Sequence, residues 1–184
     1  MKPQIKQLTI LLFSFVLFAC NNGQREANNS SSNSQLLEGS EADTTIVIAT
    51  LDSGETSFVV NQNVLKSDWQ EFLSNIPEYA TCTLNSVEIV SNVDSTVYYL
   101  VASGTISGEN MKSTIELKLE QPSCLYITGL TVTCTTTACS SEGTGCIPVI
   151  LHCTECGNKG KCTKSVSNSP RAIFSSIEAS TCQN

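Results

Sequence analysis

The stretch Ser113-Thr114-Ile115-Glu116-Leu117-Lys118-Leu119-Glu120 decides the fold. Ile115, Leu117 and Leu119 alternate with Thr114, Glu116, Lys118 and Glu120, the period-two pattern of a strand with one buried and one wet face. Toward the C-terminus residues 124–135 repeat the pattern, Leu130, Val132 and Cys134 alternating with Thr131, Thr133 and Thr135. Toward the N-terminus residues 83–90 and 96–107 are strand-like, with turns predicted at 92–95 and 108–110. Before them Val64, Leu65, Trp69, Phe72, Leu73 and Ile76 recur at helical spacing. Asn63 or Ser67 offers a cap, Pro77 stops the run, and Trp69 reads as a core anchor. Residues 44–51 and 56–60, separated by Asp52-Ser53-Gly54, read as a hairpin or an interrupted strand. The order predicts an α+β fold: one helix packed on an antiparallel four- to five-stranded sheet, followed by a disulfide-rich irregular C-terminal segment.

At the N-terminus Lys2 and Lys6 precede an apolar run over residues 8–18, Leu-Thr-Ile-Leu-Leu-Phe-Ser-Phe-Val-Leu-Phe. A bilayer-spanning helix needs about 20 residues, so this shorter run reads as a signal peptide. Leu17-Phe18-Ala19-Cys20 closes it and resembles the lipobox of bacterial lipoproteins, with Leu three places before the cysteine and Ala immediately before it. The resemblance covers the first 20 residues. It implies that Cys20 becomes a thioether-linked, diacylated N-terminus, held by about 0.8 kcal/mol per buried methylene. Ordinary secretion, with Cys20 outside the mature chain, and an uncleaved apolar N-terminus are the alternatives. The residues after Cys20 are almost all polar and cannot repay the entropy of ordering, as expected of a tether. Asn21 after the cysteine implies, by the same resemblance, sorting to the outer membrane, facing the periplasm or the surface. The expected organisation is a signal peptide over 1–19, lipidated Cys20 and a flexible tether over 20–42, the α+β body over 43–135 and a Cys-rich segment over 136–184.

Removing Lys2 and Lys6 leaves eight basic residues against seventeen acidic ones, a formal charge of minus nine, which argues against a nucleic-acid partner. The charge is uneven. Residues 38–120 hold thirteen acidic and three basic groups, whereas residues 153–171 hold Lys159, Lys161, Lys164 and Arg171 against Glu155 alone. The strand and helix order is similar to that of cystatin-like folds, and Tyr99-Leu100-Val101-Ala102-Ser103-Gly104 loosely resembles the inhibitory loop of cystatins without its leading Gln. That resemblance implies protease inhibition as a weaker alternative.

Nine cysteines lie beyond Cys20: Cys82, Cys124, Cys134, Cys139, Cys146, Cys153, Cys156, Cys162 and Cys182. An exported chain meets an oxidising compartment, so disulfides are the default, and four bridges leave one thiol over. A pairing of Cys82 with Cys124 is expected from their places beside the strands, the crowded set pairing locally with Cys182 closing the tail. His152, Cys153, Cys156 and Cys162 form an alternative set for a metal such as zinc, although the second paired knuckle is lacking. Cys153-x-x-Cys156 also has thiol-redox spacing, but Gly157, Asn158 and Gly160 oppose the helix that such chemistry uses. No cofactor is expected. His152 is the single histidine and no Gly-x-Ser-x-Gly elbow occurs, so no catalytic residue is assigned. The reading is a lipid-anchored, non-catalytic binding module that touches the membrane through its lipid and takes a protein or glycan partner.

Overall fold

A computed structural model describes residues 45–120 and 123–182. The expectations for the signal peptide, Cys20 and the tether fall on residues outside these. Among the described residues ten strands and one α-helix follow in the order β1 (Ile46–Asp52), β2 (Glu55–Phe58), α1 (Gln62–Ser74), β3 (Thr83–Ser91), β4 (Tyr98–Ile106), β5 (Glu109–Glu120), β6 (Cys124–Ile127), β7 (Thr131–Thr136), β8 (Pro148–Val149), β9 (His152–Cys153) and β10 (Thr163–Ser167). The fold is α+β, as expected. Its main sheet has eight antiparallel strands rather than four or five, because β10 and the β1–β2 hairpin join it and the strand expected over 124–135 is two, β6 and β7.

β5 organises the sheet. It pairs along its length with β4, from Tyr98↔Leu117 to Ile106↔Glu109. Its other edge pairs with β7 over Lys112–Ile115 and with β6 over Lys118–Glu120. The predicted single strand over 124–135 is thus broken at Gly129, whose positive φ of 60° suits a residue without Cβ. The break lets the two halves take different outer neighbours, β1 beside β6 and β10 beside β7. The β4–β5 hairpin turns at Ser107-Gly108, both with positive φ, one residue ahead of the expected turn.

The helix is capped by Asn61, ahead of the predicted Asn63 or Ser67, its side chain accepting from the amides of Asn63 and Val64. Leu65, Trp69 and Leu73 are fully buried on Ile46, Ile48, Leu100, Ile115 and Leu125, and Val64, Phe72 and Ile76 flank them. Trp69 is the expected anchor, meeting Phe174 edge to face at 5.8 Å. Among the described residues, no helix is long and apolar enough to cross a membrane.

The C-terminal segment departs furthest from expectation. After β10 and a 3-10 turn at Pro170–Ala172, Ile173, Phe174 and Ile177 enter the main core beside α1. The Ser176 amide donates to the buried Asp68 carboxylate at 2.7 Å, Ser180 bonds β1, and Cys182 is joined to Cys124. The expected boundary at 135 between body and Cys-rich segment is crossed by a strand, a core cluster and a disulfide. The physical reason is that α1 alone does not cover the apolar face of the sheet, and the tail supplies the missing cover.

Candidate functional site

Between β7 and β10 the chain leaves the sheet and lies over the face opposite α1 as an arm of residues 137–162. Its hairpin β8–β9 pairs Pro148 with Cys153 and Val149 with His152. Few large apolar side chains are available here, so covalent bonds replace burial. Three bridges staple the arm: Cys134–Cys153, Cys139–Cys156 and Cys146–Cys162, closing 19, 17 and 16 positions. Polar contacts dock it on β5. Lys112 donates to the Glu142 carbonyl, and the Thr114 hydroxyl lies 3.0 Å from the Cys146 carbonyl. The Glu142 carboxylate accepts from the Gly157 amide at 2.8 Å.

This docking revises the expected wet face of the central strand. Glu116, Lys118 and Glu120 are exposed, as read from the alternation, but Thr114 and Lys112 are buried beneath the arm. On β7 both faces are buried, Val132 and Cys134 against the arm and Thr131, Thr133 and Thr135 on the helix side, while Leu130 is half exposed. Burial holds the Lys112 amine below its usual value, partly opposed by Glu142. Desolvation pushes the Glu116 carboxyl upward, Lys118 and the Ile150 amide offsetting part of this.

Cysteine counting is borne out in part. Among the described residues four bridges form and one thiol remains, and the odd cysteine is Cys82. The expected Cys82–Cys124 pair is a wrong assignment. Cys82 enters β3, Cys124 begins β6, and β4 and β5 lie between them. Three strand spacings of about 4.8 Å exceed the reach of a disulfide. Burial raises the Cys82 thiol and keeps it unreactive. The alternative metal set is also corrected. Cys156 is bridged to Cys139, Cys153 to Cys134 and Cys162 to Cys146, so their thiolates are not free to bind, and His152 stands exposed on β9. The same bridges leave Cys153 and Cys156 in different disulfides, not in one redox pair. The segment Tyr99–Gly104 lies inside β4, paired on both edges, and at Gly104 a Cβ would strike the Thr83 carbonyl of β3.

The feature missed in sequence is the tip of the arm. Ile150 and Leu151 form the two-residue turn of the β8–β9 hairpin, and they are 80% and 52% exposed. Ile150 has φ of 57°, in the left-handed region where a β-branched residue is strained and glycine or asparagine is usual. Lys164 of β10 donates to the Leu151 carbonyl at 3.0 Å and fixes the turn on the sheet. Leu130 and Val166 extend the apolar surface, Val166 lying opposite the buried Val132 in register. A cleft of about 160 Å³ runs beneath Ile150, between Leu130, Pro148 and Lys118. The signal available in sequence was the run Val149-Ile150-Leu151, set among polar residues and cysteines. The chain matches no protein-family model, no curated protein and no solved structure.

Proposed function

We propose that this is a lipid-anchored envelope or cell-surface protein that acts as a non-catalytic binding module, gripping a protein partner with the Ile150–Leu151 turn. The observation that carries the reading is the strained, exposed isoleucine. A left-handed β-branched residue costs about 1–2 kcal/mol relative to glycine, and at 80% exposure little burial offsets that cost. An aliphatic side chain held out on a stapled hairpin gains only when another apolar surface covers it. Aliphatic contact favours protein side chains over the hydroxyl-rich edges of a glycan. The anchor rests on Leu17-Phe18-Ala19-Cys20, and the bridges suit an oxidising envelope.

The test places a photo-crosslinking residue at Leu151 in living cells, with the exposed Val93 of the β3–β4 turn as the control position. The expected result is a discrete adduct from position 151 and none from position 93. Ile150→Gly should remove the adduct while raising stability to urea by up to about 1 kcal/mol, because it relieves the left-handed strain. Equal labelling from both positions, or an adduct indifferent to Ile150→Gly, would overturn the reading.

A further inference from the structure

Two of the arm's bridges lie side by side. The Sγ atoms of Cys134, Cys153 and Cys162 are all within 4.8 Å of one another. Cys134 is bonded to Cys153 and Cys162 to Cys146, so one whole bridge and one sulfur of the second meet between β7, β9 and the start of β10, with Cys146 reached through Cys162 from the loop before β8. Cys139–Cys156 is a third bridge outside this group. A tetrahedral thiolate site with metal–sulfur bonds of about 2.3 Å has sulfur–sulfur edges of about 3.8 Å. Cys162 is therefore no more than about an ångström beyond that edge from Cys134 and Cys153, while the two bonded pairs, about 2.0 Å apart as in any disulfide, must separate by about 1.8 Å once reduced, which also releases Cys146 from Cys162.

The group is also reachable. An open cleft of about 440 Å³ exposes Cys153 and Cys162, and beside the single acidic Glu155 its walls carry Lys159 and Lys164. Their ammonium groups favour thiolate over thiol and oppose the two negative charges that four thiolates leave around a divalent ion.

The geometry points to a metal site in the reduced chain: one thiophilic cation of the zinc type bound by Cys134, Cys146, Cys153 and Cys162. Two equivalents of a dithiol reductant deliver four electrons and four protons to the two bridges and leave as cyclic disulfides. Binding of Zn²⁺ then displaces the four thiol protons. In the reverse direction an oxidant that accepts four electrons re-forms both bridges and expels the ion. Either two disulfides or one ion thus holds the same segments together. This set differs from the sequence-based one. Cys156 belongs to the separate bridge, and alternation along β9 sends His152 to the side opposite Cys153.

The test reduces the full chain anaerobically with a phosphine, which does not compete as a thiol ligand, and titrates it with Co²⁺ and then Zn²⁺. One Co²⁺ per chain is expected, with intense thiolate-to-cobalt absorption that Zn²⁺ abolishes. The Cys139→Ser/Cys156→Ser variant should retain this, and Cys134→Ser/Cys153→Ser should lose at least about 100-fold in affinity. Trp69 emission reports the core. A reduced chain that keeps its native emission, or regains it on adding metal, supports the site. Failure to bind stoichiometrically, equal loss in both paired variants, or a metal-bound chain that stays unfolded would overturn it.

Discussion

The two faces of the sheet are covered by different means. On one, α1 and the C-terminal tail bury Leu65, Trp69, Leu73, Ile173 and Phe174 against the inward residues of β1, β4, β5 and β6. On the other, the arm buries little apolar surface and is held by three disulfides and by hydrogen bonds to Lys112, Thr114 and Thr136. The first face gains from removing hydrocarbon from water, at about 25 cal/mol per Å². The second gains from restricting the unfolded chain and from satisfying buried polar groups. The helix face should therefore behave as the global core, and the arm as a unit whose order depends on oxidation.

The largest effect expected from breaking this contrast is at Phe174. It is fully buried against Trp69, and Phe174→Ala should cost about 3–5 kcal/mol in urea unfolding followed by Trp69 emission. A loss below 1 kcal/mol would mean that the tail is a loose appendage. Next comes the arm. Replacing both Cys134 and Cys153 by alanine should cost about 3 kcal/mol, seen as faster hydrogen exchange over residues 137–162 with α1 amides unchanged. Equal acceleration in α1 would show that the two faces unfold together.

The smallest effect is electrostatic and confined to the arm's face. Burial lowers the folded-state Lys112 value below 10.5, so between the lowered value and 10.5 the unfolded chain binds more protons. Stability from Lys112 should therefore rise with pH across that window, and below it the buried ammonium is a penalty. Lys112→Met should flatten the rise when urea midpoints are compared between pH 7 and 11, provided the arm stays oxidised. A slope unchanged by the substitution would place Lys112 in contact with solvent.

Much of the helix face was legible because its periods are local. The stripe through Leu65, Trp69 and Leu73 and the alternation of Ile115, Leu117 and Leu119 each record contact with a single apolar surface. The arm's face was not. Thr114 and Lys112 look like solvent residues because the layer above them is polar and bridged, and no hydrophobic period marks it. The alternation over Leu130 to Thr135 was read with one wet side, yet a threonine row on β7 is buried. Ser113 and Thr135 pair their hydroxyls at 2.9 Å, and the Tyr79 hydroxyl donates to the Thr135 carbonyl at 3.0 Å. Ile173, Phe174 and Ile177 carried a short apolar signal, which the cysteines around it obscured.

By itself the sequence determined the α+β class, the helix and its anchor, and the arithmetic of four bridges with one thiol left over. These follow from periodicity and counting, which need no knowledge of where distant segments meet. Only the tertiary structure decided that Cys82 is the odd thiol, that Cys162 of one bridge lies beside both sulfurs of another, and that the hairpin raises Ile150 into solvent. Disulfide partners and turn positions depend on which strands are neighbours, and β4 and β5 intervening between Cys82 and Cys124 is a fact of sheet order that no local pattern encodes.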